Sequence, residues 1–130
     1  MSVDAIGLSA ELLKAVKACG YKNLTPIQQQ AIPVIRSGED LFATAQTGTG
    51  KTAAFSLPIL DAIAKEHQHV ASSEPVIRAL ILTPTRELAA QVAENISNYS
   101  QFLPLKTAVV YGGGRMASQT NALKKGVDVL

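Results

Sequence analysis

Apolar residues recur at helical spacing in five stretches of the chain. Ser9 is a typical N-cap for the first predicted helix, which ends before Gly20. The second helix is predicted to begin at Thr25 with Pro26 in its first turn, and Pro33 predicts a kink or a division into two helices. The other three helices are predicted over residues 50–66, 86–102 and 116–126.

Short apolar runs lie between these helices and predict β-strands. They are DLFATA, VIRALILTP, KTAVVYGGG and VDVL, which occupy residues 40–45, 76–84, 106–114 and 127–130. Strands that alternate with helices of ten or more residues favour a parallel sheet with right-handed crossovers, so the predicted fold class is α/β. Because the last strand is only begun, we expect a fragment with about three to four strands, whose bare sheet edge could pair with a second copy of the chain.

The composition is that of a soluble globular domain. Of the 130 residues, 47% are hydrophobic and 17% are charged, and the net charge of +2 is too small to predict nucleic-acid binding by itself. The single cysteine, Cys19, excludes an internal disulfide and is expected to be a small buried helix residue. No apolar run approaches the roughly 20 residues of a membrane span, and the N-terminus lacks the basic and apolar regions of a signal peptide. We therefore expect a cytoplasmic protein without membrane contact.

The segment HQHVASSEP, residues 67–75, is polar and unpatterned and predicts an exposed loop. It contains two histidines, His67 and His69, which are two positions apart. On a helix this spacing would point the two side chains to different faces. A solvated loop is therefore favoured over a metal site at these histidines.

A glycine- and threonine-rich stretch follows the first predicted strand and precedes a helix. It matches the pattern G-x-x-x-x-G-K-[ST], except that an alanine replaces the first glycine. Gly48 and Gly50 permit turns that point successive N–H groups inward, and the helix that begins near Gly50 adds its positive end. Lys51 offers a charge to the β- and γ-phosphates, and Thr52 offers a hydroxyl to Mg²⁺. The stretch predicts a nucleoside triphosphate site, here called the phosphate loop, formed by Ala45, Gln46, Thr47, Gly48, Thr49, Gly50, Lys51 and Thr52.

A glutamine and a tyrosine lie upstream of this loop, in GYKNLTPIQQQ. The side-chain amide of Gln28 can donate and accept at once, as the N6 and N7 edge of adenine requires. Guanine presents two acceptors at that edge and would not fit. Tyr21 could cover the base by stacking. The alternative is that Gln28 is a surface residue of an amphipathic helix, and the residues alone leave both interpretations open.

Four motifs occur in order along the chain: LTPIQ at 24–28, AQTGTGKT at 45–52, PTRELAAQ at 84–91 and YGGG at 111–114. Together they resemble the N-terminal half of the first RecA-like domain of DEAD-box ATP-dependent RNA helicases, and the opening MSVDAIGLS is similar to bacterial members of the RhlE type. The resemblance covers essentially all of the chain. It implies a three-layer RecA-like P-loop fold, with residues 1–39 as adenine-recognition helices and 40–130 as the P-loop α/β portion. ATP or ADP with Mg²⁺ and an RNA partner are implied as well.

The resemblance also assigns roles to the matching positions. Tyr21 corresponds to the aromatic residue that packs on adenine, Gln28 to the residue that reads its edge, and Thr25 to a support of that motif. The phosphate loop corresponds to the residues that hold the phosphates and Mg²⁺, with Lys51 and Thr52 as catalytic candidates. Contact with the RNA backbone is implied for Pro84, Thr85, Arg86, Gly112 and Gly113.

Two positions depart from the family pattern. Val3 stands where an aromatic residue is usual, and Leu24 replaces a proline. Both touch the adenine-recognition region, so weaker nucleotide affinity is expected.

The acidic Asp-Glu-Ala-Asp motif and the second RecA-like domain of the family are expected beyond Leu130. Since phosphoryl transfer depends on such positioned charges, the resemblance implies an RNA helicase for the parent protein and an inactive ATPase for these residues alone. A non-catalytic adenine-nucleotide-binding module is the alternative. A small-metabolite kinase would leave PTREL and YGGG unexplained.

Overall fold

The computed structural model describes residues 1–69 and 76–130, and this part of the chain contains five α-helices. After a short 3-10 helix at Val3–Ile6 they are α1 (Ala10–Ala18), α2 (Pro26–Arg36), α3 (Lys51–His69), α4 (Arg86–Tyr99) and α5 (Met116–Lys124). Each helix predicted from the apolar spacing is present. The predicted division at Pro33 is wrong, because α2 runs through this residue to Arg36. A proline loses its own N–H bond and crowds the preceding turn of the helix, but Val34 and Ile35 beyond it are partly buried and continue the packed face.

Strand pairing in the described residues is limited to isolated bridges. Val129 forms parallel bridges with Ala79 and with Thr107. The Ile81 N–H donates to the Leu130 carbonyl at 2.8 Å, and the Ala108 N–H donates to the Val129 carbonyl at 3.1 Å. Segment 128–130 therefore lies between segments 79–81 and 106–108. These three segments run parallel as predicted, but a continuous parallel sheet is not confirmed.

The strand predicted at DLFATA is not formed. Residues 40–45 have no strand or bridge assignment, and the Phe42 side chain is 94% exposed. A strand needs a neighbour for its backbone groups and a packed surface for its side chains. No other described segment forms a bridge with residues 40–45, so an apolar composition alone does not make them a strand. The predicted pairing between copies of the chain stays a prediction.

The core lies where α1, α2, α3 and α4 meet the bridged segments. α2 and α3 share the most extensive contact between helices. The fully buried side chains of the core come from each of the first three helices and include Leu12, Val16, Ile32, Leu57 and Leu60. Burying an aliphatic side chain of this size stabilises the fold by about 1.5–3 kcal/mol. The phosphate loop is thus carried between two firmly packed helices, α2 and α3.

The prediction of a buried cysteine is wrong. Cys19 is exposed and forms the C-cap of α1. The buried face of α1 consists of Leu12, Ala15 and Val16. Cys19 would be the next position on that face, but because the helix ends at Ala18, Cys19 lies outside the packed surface.

The prediction of a loop over 67–75 is wrong at its beginning. Residues 67–69 form the last turn of α3, whereas 70–75 and the His69 side chain lie outside the described residues. His67 Nε2 lies 2.7 Å from Asp128 Oδ1. Among the side chains that the structure describes, no group of three histidines, cysteines or carboxylates could hold a metal ion.

The buried carboxylate of Asp128 joins the bridged segments to α3. It accepts hydrogen bonds from the Arg78 guanidinium at 3.1 Å and from the Lys106 N–H at 2.9 Å, beside the contact with His67. A buried charge requires such partners, because leaving water costs it several kcal/mol. Within residues 1–69 and 76–130, no helix is long and apolar enough to cross a membrane.

Candidate functional site

The phosphate loop is a turn that leads directly into the first residue of α3. Gly48 and Gly50 have positive φ angles of 82° and 86°, which residues other than glycine rarely adopt. Lys51 and Thr52 are the first two residues of α3. The amide groups in the first turn of a helix have no partner within the helix, and the helix dipole adds positive potential there. The turn at the glycines and the helix start after it are formed as predicted, and the binding of an anion there stays a prediction.

Two side chains of the loop bond to its own backbone. Lys51 Nζ donates to the Ala45 carbonyl at 2.5 Å, and Thr49 Oγ1 donates to the Gln46 carbonyl at 2.6 Å. The Lys51 side chain is exposed, so its ammonium group can leave the carbonyl without unpacking the core. The loop thus keeps its lysine folded back over the turn.

The same loop fits a phosphate chain with Mg²⁺. Residues 45–52 include one lysine, three threonines and two glycines but no acidic residue. A Cβ atom built on Gly48 would meet nothing within 4 Å, so the turn borders open space. Backbone N–H groups, one ammonium and a hydroxyl suit the oxygens of a phosphate and its bound cation. The chemistry of the donors therefore agrees with the predicted ligand.

Gln28 is brought into direct contact with the phosphate loop. It is the third residue of α2 and is 5% exposed. Its Oε1 accepts from the Thr25 N–H at 3.0 Å, and its Nε2 donates to the Gly50 carbonyl at 3.2 Å. The open alternative of an exposed surface residue is wrong, since the Gln28 side chain links the N-cap of α2 to the turn before α3. One amide hydrogen and one lone pair remain for a further partner.

Tyr21 lies between α1 and α2 and contacts a residue that the sequence did not indicate. Its hydroxyl is 3.0 Å from the hydroxyl of Tyr99, the last residue of α4, and the ring centroids are 6.1 Å apart. Burial, together with the hydrogen bond to Tyr21, raises the pKa of Tyr99 well above its usual range. Tyr21 itself is 37% exposed, so part of its ring faces solvent.

Both residues that depart from the family pattern lie in the core. Val3 is 1% exposed and Leu24 is 6% exposed. The Val3 N–H donates to the Lys22 carbonyl at 3.1 Å, which ties the N-terminal segment to the stretch before α2. Buried side chains of this kind can act on a ligand only through the residues packed around them.

A second cluster brings together the PTREL and YGGG motifs. Thr85 is the N-cap of α4, and its hydroxyl accepts from the Leu88 N–H at 3.2 Å. Arg86, the first residue of α4, places its guanidinium carbon 5.9 Å from the ring centroid of Tyr111. A Cβ atom built on Gly113 would lie 3.4 Å from the Arg86 guanidinium. The cluster is exposed and carries one positive charge at a helix start, which suits a phosphodiester.

The structure therefore gathers most of the predicted residues into two groups, whereas the described hydrogen bond of the Tyr21 side chain is to Tyr99, outside both. The first group consists of Gln28, Thr25 and the phosphate loop. The second consists of Arg86 and the turn that contains Gly113. Pro84 and Gly112 lie beside the second group in sequence but make no contact that defines it. The sequence analysis missed Tyr99, which bonds Tyr21, and the role of the Tyr111 ring. Neither residue had a local signal, because their partners are distant in sequence.

Comparisons with known proteins identify the family of the chain. The family model for the DEAD/DEAH box helicases matches residues 25–130. The ATP-dependent RNA helicase CshA of Limosilactobacillus reuteri is 43% identical over 130 residues, which is 100% of this chain and 25% of that protein. The DEAD-box ATP-dependent RNA helicase RhpA of Helicobacter pylori strain B128 is 41% identical, over 99% of this chain and 25% of that protein. The chain thus spans about a quarter of the length of these relatives. The similarity to the RhlE type stays a prediction.

Solved structures agree with the α/β fold class. A DEAD box protein from the hyperthermophile Methanococcus jannaschii superposes with a TM-score of 0.86 at 37% identity, over 100% of this chain and 34% of that one. The RNA helicase Prp28 from Chaetomium thermophilum bound to ADP gives 0.86 at 36% identity, over 98% and 31% of the two chains. With most of its length matched by the family model and its two residue groups built from the family's motifs, the chain belongs to the DEAD/DEAH box helicase family.

Proposed function

We propose that this chain is the nucleotide-binding and RNA-contacting part of an ATP-dependent RNA helicase, which couples ATP hydrolysis to the remodelling of RNA duplexes. The contact between Gln28 Nε2 and the Gly50 carbonyl carries the proposal. It joins a residue suited to the adenine edge to a loop suited to phosphates, across 22 positions of sequence. A single nucleotide can then touch both.

In this proposal the base and the phosphates are held by different elements. Gln28 offers its remaining hydrogen and lone pair to adenine, and Tyr21 covers the ring. Lys51 exchanges the Ala45 carbonyl for phosphate oxygens, while the amides of the loop hold the remaining oxygens. Thr52 offers its hydroxyl to Mg²⁺, which neutralises phosphate charge when it is bound with the nucleotide.

The proposed RNA contact lies at the second group. Arg86 presents a guanidinium at the start of α4, where the helix dipole also favours a phosphate. Gly112 and Gly113 let the RNA backbone approach the turn closely, because they carry no side chain. Thr85 and Pro84 fix the turn that precedes the helix. These contacts position RNA but carry no base readout.

The proposal includes the arrangement of the fold around the site. Residues 1–39 would supply the adenine-recognition helices, and residues 40–130 the P-loop α/β portion with a parallel RecA-like sheet. The parallel bridges at Val129 support this arrangement.

We further propose that these 130 residues bind nucleotide without turning it over. The sequence contains no Asp-Glu-Ala-Asp stretch, and the positioned charges of phosphoryl transfer are worth large factors, about 10³–10⁵ for an arginine finger alone. RNA-stimulated ATP turnover that disappears in Lys51→Ala would contradict this. A non-catalytic adenine-nucleotide-binding module remains the second candidate, because the phosphate loop and Gln28 would serve it equally well.

Titration with fluorescent ADP and GDP in the presence of Mg²⁺ tests the nucleotide site. We expect ADP to bind more tightly than GDP, and Lys51→Ala to lose both. Gln28→Glu keeps an acceptor for the Thr25 N–H but removes the amide donor, so the preference for ADP should fall by about tenfold or more. Gln30→Glu introduces the same charge at an exposed position of α2 and should leave the preference unchanged. Equal affinity of the unaltered chain for ADP and GDP would refute the adenine assignment.

Titration with a fluorescein-labelled oligouridylate tests the RNA contact. Arg86→Ala should weaken binding and lower the slope of log affinity against log salt by about one. Lys124→Ala removes the same charge from the exposed end of α5 and serves as the control. Nucleotide binding without any RNA binding would favour the second candidate function.

A further inference from the structure

Gln119 of α5 is hydrogen-bonded to the backbone of Tyr111, which lies between segment 106–108 and α5. The Tyr111 N–H donates to Gln119 Oε1 at 3.3 Å, and Gln119 Nε2 donates to the Tyr111 carbonyl at 3.2 Å. A carboxamide carries the same donor and acceptor as a peptide group, so the side chain replaces a neighbouring strand at this residue. We call this pair of bonds the Gln119 clamp.

Gly114 leaves the space that the clamp occupies. A Cβ atom built on Gly114 would lie 2.4 Å from Gln119 Nε2 and 3.0 Å from the Tyr111 ring. The φ angle of Gly114 is not positive, so it is the close approach of the amide, rather than the backbone angle, that requires glycine. Gly112 differs, because a Cβ atom there would meet nothing within 4 Å.

The ring of the clamped tyrosine lies beside the guanidinium proposed to contact RNA. Arg86 stands 5.9 Å from the Tyr111 centroid, and the Gly113 Cβ position lies 3.4 Å from its Nη1. The Arg86 side chain is exposed, and within residues 1–69 and 76–130 its described interaction is the one with the Tyr111 ring. Its described neighbours are the Tyr111 ring and the turn at Gly113, and Gln119 bonds the Tyr111 backbone between them.

We infer that Gln119 is a positioning residue for RNA binding, which acts by clamping Tyr111 so that the ring directs Arg86 toward a phosphodiester of single-stranded RNA. The inference rests on the proposed function for its ligand. Gln119 does not touch the RNA, and its effect passes entirely through Arg86. A purely structural glutamine would stabilise α5 without any effect on the Arg86 side chain.

The arginine side chain can be observed without RNA. In ¹⁵N-labelled protein, the ring current of Tyr111 shifts the Arg86 Nε–Hε signal, and Tyr111→Leu defines the signal without the ring. We expect Gln119→Leu to move the signal most of the way to that position. Gln91→Leu, at an exposed position of α4, should leave it in place. An Arg86 signal that is unchanged in Gln119→Leu would overturn the inference.

Binding of a fluorescein-labelled oligouridylate then measures the consequence. Gln119→Leu should weaken binding by about tenfold, the loss that corresponds to one hydrogen bond to a charged group. In the Arg86→Ala background the same substitution should change nothing further. Equal losses in both backgrounds would show a structural role and overturn the inference.

A second variant, at Gly114, disrupts the clamp without changing Gln119 and so distinguishes the effect of the clamp from misfolding. Gly114→Ala fills the space of the Gln119 amide and should shift the Arg86 signal in the same direction, while the rest of the amide spectrum stays dispersed. If the unaltered protein does not bind the oligouridylate, the proposed RNA contact fails. The shift of the Arg86 signal still decides whether Gln119 positions the arginine.

Discussion

Replacing Gly50 with alanine perturbs the contact between the phosphate loop and Gln28. A Cβ atom there would lie 2.4 Å from Gln28 Nε2 and 3.2 Å from Thr25 Oγ1. The amide cannot withdraw without giving up its bond to the Gly50 carbonyl. Because Gln28 is buried, no water stands ready to replace the lost partner. The substitution therefore combines a strained backbone with a broken buried hydrogen bond.

Gly48→Ala measures the cost of the strained backbone alone, without the broken hydrogen bond. Its φ angle of 82° nearly equals the 86° of Gly50, but its Cβ atom would meet nothing within 4 Å. A side chain in this backbone region costs about 1–2 kcal/mol. A buried amide without its partner costs about 1–3 kcal/mol more. We expect Gly48→Ala to lower the free energy of unfolding by the first amount only, and Gly50→Ala to lower it by about 2–5 kcal/mol.

Urea unfolding followed by far-ultraviolet circular dichroism measures both values. In a Gln28→Ala background no amide meets the new methyl group and only the Thr25 hydroxyl at 3.2 Å remains close, so most of the difference between Gly50→Ala and Gly48→Ala should disappear. Equal losses for the two glycine variants in the unaltered chain would refute the reasoning. They would mean that the amide moves aside freely and that Gln28 does not bind the loop in solution.

Three other changes address the tyrosine pair, the buried carboxylate and the exposed segment 40–45. The pKa of Tyr99 is raised in the native state. The contribution of Tyr99 to the free energy of unfolding should therefore be fully present below about pH 10, the usual tyrosine pKa, and be lost as the pH rises further. Tyr99→Phe should remove that decline and cost about 1 kcal/mol at neutral pH, as measured by urea unfolding. Asp128→Asn removes the nearer of the two carboxylates beside Arg78, whose Nε stays 3.5 Å from Glu66 Oε2, and should cost about 1–3 kcal/mol in the same assay. Phe42→Ser should change stability by less than about 0.5 kcal/mol and reduce any concentration-dependent association seen by sedimentation.

The helices were predictable because their signals are local. Ser9 and Thr25 stand at the N-caps where the sequence predicts them. Apolar spacing indicated Leu88, Val92 and Ile96 as the inner face of α4, and of these Val92 and Ile96 are buried whereas Leu88 is 37% exposed. The turn of the phosphate loop was predictable for the same reason, since its two glycines lie within eight consecutive residues and precede the first turn of α3; its ligand stays a prediction.

Strands were less predictable because a strand depends on its neighbours. Residues 128–130 are paired on both sides, whereas 40–45, of similar apolar character, are not paired at all. Nothing in the composition of either segment reveals this difference. The error at Cys19 has a related cause, because apolar spacing shows where a face would continue and not where the helix ends.

The contacts that complete the site could not be predicted from the sequence, because their partners meet only in the folded structure. Tyr21 and Tyr99 are 78 positions apart, and tyrosines at half-buried positions are too common to indicate a pair. Gln119 is eight positions from Tyr111, but its two bonds depend on the turn between them. Side chains that act through distant backbone groups leave no spacing to detect.

The two functional loops are nevertheless held by the same device. A glutamine near the start of a neighbouring helix bonds the backbone of each: Gln28 of α2 bonds Gly50, and Gln119 of α5 bonds Tyr111. A carboxamide suits this task because it donates and accepts at once, as a peptide does, yet it can release the loop by turning about its own side-chain bonds. A strand neighbour would hold the loop as firmly but could release it only by moving an entire segment. If the two loops receive the phosphate and the RNA backbone proposed for them, a glutamine side chain lets each loop adjust without movement of an entire strand.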